Sequence, residues 1–139
     1  MTSALRAYAD YLQSLTPESL DRLETFVTDD VRFIDPFNDV TGAASMRRVF
    51  EDMFSALGDV GFNVEQVFGD GDSGMLHWQF RARLRGKPWR FYGSSLVRFA
   101  EDGRVCYHRD DWDTGRNFYE KLPVIGWFLR RIRLRLKVD

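Results

Sequence analysis

The stretch Cys106-Tyr107-His108-Arg109-Asp110-Asp111-Trp112-Asp113 crowds one histidine, one arginine and three aspartates among aromatics. Its surroundings alternate apolar and polar residues with the period of a strand. On a strand, Cys106, His108, Asp110 and Trp112 share one face, and Val105, Tyr107, Arg109 and Asp111 take the other. Cys106 and Trp112 are the natural inward pair, so His108 and Asp110 go inward with them while Arg109 and Asp111 stay in water. A one-residue bulge would reverse the assignment. An imidazole and a carboxylate in an apolar interior can exchange protons, because burial raises the pKa of the acid and a nearby imidazolium lowers it. The structural alternative is a satisfied core histidine beside a carboxylate tied to an amide or an arginine. His108, Asp110, Asp111 and Asp113 alternate faces and cannot converge on one ion, so no metal site is expected. The tripeptide His108-Arg109-Asp110 spells a kinase catalytic loop, but no glycine-rich phosphate loop accompanies it and the chain is too short for that fold.

The elements that must position these groups are legible from periodicity. Leu5, Tyr8, Leu12 and Leu15 mark one face of a helix over residues 3–15, with Tyr11 at its edge. Thr16-Pro17 supplies an N-cap and a first-turn proline for a second short helix with Leu20, Leu23 and Val27 inward. Val31 to Asp35 reads as a short strand ended by Pro36. Thr41-Gly42 opens a third helix carrying Met46, Val49, Phe50, Met53 and Leu57 at helical spacing. From about residue 60 the period changes to two. Leu76, Trp78, Phe80 and Ala82 form one inward set, and Trp89, Phe91, Gly93, Ser95, Val97 and Phe99 another. Helix, helix, strand, helix and then long antiparallel strands predict an α+β fold. Helices would close a strongly curved sheet into a cone around an apolar cavity, a place for a small hydrophobic ligand.

Composition narrows the function classes. Aromatics make up 15% of the 139 residues, which suits a wide apolar interior. The lone Cys106 excludes an internal disulfide. The N-terminal stretch lacks the apolar core of a secretory signal and no run is apolar enough to span a bilayer, so a cytoplasmic location is expected. The net charge of −1 divides into −6 over the first 120 residues and +5 over residues 121–139. A whole-domain basic footprint is absent, so no nucleic-acid partner is expected. In the basic tail, Pro123 suits the first turn of a helix whose Ile125, Phe128, Leu129, Ile132 and Leu136 share a face. Arg131 to Val138 also alternates strictly, which leaves an extended end open. The apolar face would pack on the domain or a partner subunit. Alternatively the tail would rest on an anionic membrane, with Trp127 and Phe128 as anchors.

Two longer stretches carry a family resemblance. "FVTDDVRFIDPFNDVTGAASMRRVF" resembles the helix–strand–"DP"–"G"–helix segment of the nuclear transport factor 2-like superfamily, which includes ketosteroid isomerase and the SnoaL-like polyketide cyclases. "SSLVRFAEDGRVCYHRDDWD" resembles the closing hairpin of the same superfamily. The resemblance implies a SnoaL-like domain over residues 1–120, with residues 121–139 as a basic amphipathic extension packed on it. Asp35 matches the isomerase general base and Tyr11 its oxyanion-binding tyrosine. Ser95 stands where the isomerase keeps a protonated aspartate as second donor. The inward Asp110 is similar to the acid/base aspartate of SnoaL-like cyclases, which use no cofactor. The resemblance thus points to Asp35, Asp110, Tyr11 and His108 as catalytic candidates, with Trp78, Ser95, Trp112 and Phe37 against the ligand. It implies a cofactor-free isomerase or cyclase acting on a small hydrophobic carbonyl compound. The alternative is a non-catalytic ligand-binding or dimerisation module, and in either case a homodimer through the open sheet face.

Overall fold

The computed structural model describes residues 2–138. Helix α1 (Thr2–Gln13) buries Leu5, Tyr8, Ala9 and Leu12, the stripe its helical spacing marks. Thr16 and Ser19 then exchange side-chain-to-amide bonds at 2.8 and 3.1 Å, the reciprocal arrangement of a capping box. What they cap is a 3-10 turn over Glu18–Arg22, which runs into the single α-turn α2 (Leu23–Phe26) rather than a regular helix. Leu20, Leu23 and Val27 are nonetheless buried. Strand β1 (Val27–Ile34) follows, hairpins with β2 (Asp39–Thr41), and leads to α3 (Ala43–Ala56). Gly42 caps α3 at φ 108°, a backbone region that favours glycine.

Three long strands, β3 (Gly58–Asp70), β4 (Ser73–Leu84) and β5 (Lys87–Phe99), meander antiparallel into β6 (Val105–Trp112). The sheet order is β2-β1-β6-β5-β4-β3, and only β1 and β6 pair in parallel. The curved, unclosed sheet wraps around the helices as a cone, an α+β architecture. Alternation decides its two faces: Leu76, Trp78, Phe80 and Ala82 are buried, while Met75 and Arg81 face water.

β6 departs from simple alternation at one point. Phe99 pairs with Val105 and Arg98 with Tyr107, so Cys106 is an extra residue on its strand. This bulge turns Val105 fully inward and leaves Cys106 half-buried, correcting the expectation that Cys106 is the inward member. Beyond the bulge the phase holds. His108 lies opposite Val97, Asp110 opposite Ser95 and Trp112 opposite Gly93.

The C-terminal segment begins with α4 (Thr114–Asn117), capped where Arg116 N donates to Asp113 Oδ1, and a 3-10 turn at Tyr119–Lys121. Pro123 does not start the last helix. Ile125 N donates to Pro123 O at 2.7 Å across Val124, whose φ of 62° makes a tight γ-turn, and α5 (Ile125–Leu136) begins after it. The tail is helical to Leu136, not extended. Most of its apolar stripe is turned away from the body: Ile125, Phe128, Ile132 and Leu136 are exposed, and Leu129 is half-buried. Within one chain, then, the stripe apart from Leu129 does not pack on the domain. The helix meets the body through Gly126, Arg130 and Arg133, all at Glu120.

Trp78 lies across Gly93 on the neighbouring strand, and a Cβ there would collide with its indole ring. We expect Gly93→Ala to tip the indole and to cost about 1–3 kcal/mol from overpacking. Denaturant midpoints and near-UV circular dichroism read this, and an unchanged stability and spectrum would contradict the packing.

Candidate active site

Val49 and Met53 of α3, and Leu57 just past its end, are only half-buried because they face a void rather than a packed layer. That void is a cavity of about 390 Å³. Aromatics make most of its remaining wall. Phe91 stacks on Trp112 at 4.1 Å, Phe80 stacks on Phe91 at 4.8 Å, and Phe62 meets Trp78 edge-on at 5.4 Å. Phe37, exposed, sits at the rim against Trp112 and Phe118. Against this apolar lining stand few polar residues: Asp35, Asn38, the exposed Asp52, and Asp110. A second recess of about 10 Å³ shares Phe50, Phe62, Trp78 and Asp110 with the cavity and reaches Ser95 and His108.

Asp110 is held by a line of hydrogen bonds whose direction is set at both ends. At one end the indole Nε1 of Trp78 can only donate, and it does so to Ser95 Oγ at 2.8 Å. Ser95 therefore directs its own proton to Asp110 Oδ1, at 2.5 Å. At the other end, burial and then the charge of Asp110 push the Tyr8 phenol well above its ordinary pKa. Tyr8 keeps its proton and donates it to His108 Nδ1 at 2.7 Å. That leaves Nε2–H of His108 to donate to Asp110 Oδ1 at 2.6 Å. Both arms end on one oxygen. The other, Oδ2, accepts no hydrogen bond from any described residue, and the Asp110 side chain retains 13% exposure where it lines the cavity.

Asp35 is built differently. Its position at the end of β1, before Pro36, makes it an Asx-turn residue: Oδ1 accepts from the amides of Phe37 at 2.8 Å and Asn38 at 2.7 Å, and from Asn38 Nδ2 at 3.1 Å. Burial raises its pKa above the ordinary carboxylate value. The hydrogen bonds oppose the rise, and the charge of Asp110 adds to it.

The cavity thus brings together Asp35, Phe37, Trp78, Asp110 and Trp112, and the recess behind it holds Ser95 and His108. Tyr11 is elsewhere, which corrects the expectation that its hydroxyl points at the ligand. It stacks on Phe26 at 4.2 Å and donates to Ser19 O at 2.8 Å, and burial pushes its pKa up to about 12. The tyrosine that reaches the site is Tyr8, one turn earlier. Sequence reasoning treated it as plain core, yet a tyrosine in the middle of an apolar stripe already demands a buried partner for its hydroxyl.

A model of the family described as "SnoaL-like domain" matches residues 7–108. Among solved structures, an LEH-like epoxide hydrolase from M. tuberculosis superposes with a TM-score of 0.70 at 19% identity, covering 97% of this chain and 95% of its own. A candidate SnoaL-like polyketide cyclase from Jannaschia sp. CCS1 gives 0.72 at 17% identity, over 81% and 86%. A protein with a ketosteroid isomerase-like fold from Catenulispora acidiphila DSM 44928, solved with trimethylamine, gives 0.70 at 14% identity, over 82% and 88%. A search of the curated proteins found no match. The structural likenesses, all at low identity, establish a shared fold. The family model covers most of the chain, taking in Phe33 on β1 and ending at His108 on β6, two residues before Asp110, and by that match the protein belongs to the SnoaL-like domain family.

Proposed function

We propose that the protein is a cofactor-independent acid–base enzyme that removes the proton next to the carbonyl of a small hydrophobic compound, as an isomerase or cyclase does. The observation that carries this reading is the asymmetry of Asp110, a side chain that lines an apolar cavity: one oxygen is tied by Ser95 and His108, and the other has no partner among the described residues. In the proposed step Asp110 Oδ2 takes the proton as the C–H bond breaks. The electron pair moves onto the carbonyl oxygen, which takes a proton from the acid form of Asp35 on the same cavity wall, a form that burial of this side chain supports. Isomerisation returns the proton at a different carbon. Cyclisation lets the same enol attack a second carbonyl in the molecule. Only protons and electron pairs within the substrate move, so the step balances without an oxidant or reductant. The fixed donors to Oδ1 hold the base in place and need not reorganise during transfer.

The test is exchange of carbon-bound hydrogen. With a panel of small apolar ketones in D₂O, we expect deuterium to enter the carbon next to the carbonyl faster with protein than without, followed by NMR. Asp110→Asn should slow this by about 10²–10⁴-fold while ligand affinity stays within a few-fold. Compounds that bind tightly but exchange no faster than in buffer would replace this reading with a binding module.

Asp35 adds a prediction for stability. Its folded-state pKa lies above the unfolded one, so the folded protein holds this proton more tightly. As pH rises from the ordinary carboxylate value of 3.8 through the raised value, the unfolded chain loses its proton first and stability falls. Asn at this position has no proton to lose. Urea unfolding of Asp35→Asn and wild type should show the difference shifting toward Asn with rising pH across that window, then levelling off. A difference independent of pH would mean that Asp35 is not desolvated.

A further inference from the structure

Amphipathic helices of globular domains bury the apolar stripe and leave the polar one in water. α5 does the reverse. Its attachments to the body lie on the polar side. Gly126 is buried so closely on the backbone of Glu120 that a Cβ would not fit, Arg130 donates to Glu120 O, and Arg133 Nε donates to Glu120 Oε2 at 2.7 Å. Glu120 is itself 6% exposed, so this is a built anchor and not a surface contact. Four of the five stripe residues, Ile125, Phe128, Ile132 and Leu136, then point outward with exposures of 52–81%, and Leu129 at the edge nearer the body is half-buried. Trp127, also exposed, carries the Arg131 guanidinium over its ring at 4.8 Å.

Charge identifies what the stripe meets. Lys121, Arg130, Arg131, Arg133, Arg135 and Lys137 lie in this segment, and only Arg133 among them forms an ion pair among the described residues, with Glu120. The first 120 residues carry a net −6. Two copies of α5 laid stripe to stripe would bring Arg131 and Arg135, which are not tied to Glu120, toward their counterparts, a repulsive arrangement. A surface that is apolar beneath and negative at its boundary satisfies both the stripe and the cations at once. We infer that α5 is a docking surface for an anionic phospholipid bilayer, lying in the headgroup layer with its stripe down and the acidic body held away. No helix among the described residues is long and apolar enough to cross a membrane, so attachment would be peripheral. Glu120 sits two residues from Phe118, which lines the cavity, so the anchored helix and the cavity wall belong to one segment.

The experiment uses the full chain. Vesicles of neutral phosphatidylcholine, and others containing about one-third phosphatidylglycerol, are sedimented with the protein between about 0.02 and 0.5 M salt. We expect binding to anionic vesicles at low salt, at least about a tenfold loss at high salt, and no binding to neutral ones. Phe128→Ser with Ile132→Ser, and separately Arg131→Glu with Arg135→Glu, should each weaken binding about tenfold or more. Circular dichroism should remain unchanged, since these side chains are exposed. Light scattering without vesicles gives the subunit mass. Failure of the wild type to sediment with anionic vesicles overturns the inference. So does retention of binding by the Phe128 and Ile132 double variant. A multimer that the same variant dissolves would make the stripe a subunit interface and overturn it equally. None of these readings depends on whether the cavity turns over a substrate.

Discussion

Everything about the interior depends on the satisfaction of one buried oxygen. Asp110 Oδ1 is where β4, β5, β6 and α1 meet chemically, because Trp78, Ser95, His108 and Tyr8 come from those four elements and form one line of donors toward it. Leaving any buried member of such a line without its partner costs about 1–3 kcal/mol, a large fraction of the stability of a small domain. The network therefore constrains more than chemistry. It fixes the register of β5 against β6, the rotation of α1, and the tilt of an indole that lies over Gly93 for want of a Cβ.

Much of this was readable in advance. Alternation alone places Leu76, Trp78, Phe80, His108 and Asp110 inside, because a strand leaves a side chain only two directions and the apolar members choose between them. The Asp35-Pro36 turn was equally visible. Three things were not. The bulge at Cys106 shifts phase without any glycine or proline to mark it, and downstream alternation survives only because the extra residue falls before His108. Tyr8 and Tyr11 lie three residues apart on one helix, so periodicity places both near the core but does not say which hydroxyl meets the sheet and which meets the 3-10 turn. The orientation of α5 is the third. A stripe shows which face of a helix is apolar, while what that face touches is decided by a distant anchor, here Glu120.

The cavity itself belongs among the less legible features. Val49, Met53 and Leu57 have the spacing and composition of ordinary core, and nothing in their identity distinguishes packing against a neighbour from facing an empty volume. The aromatic content hinted at it. Rigid rings such as Phe91 and Trp112 stack among themselves and hold a wall open, whereas flexible aliphatic chains would collapse into the space.

Asp110 stands on a strand and Asp35 in the turn that follows one, and part of the opposing wall stands on a single helix, α3. The two are separable during descent. Trading one apolar residue for another at positions 49, 53 or 57 reshapes the volume offered to a guest and leaves Asp35 and Asp110 where they are. The shape of the cavity and the placement of its two carboxylates can therefore change independently in proteins built on this scaffold. The same modularity gives a protein engineer a small, addressable set of positions for altering selectivity.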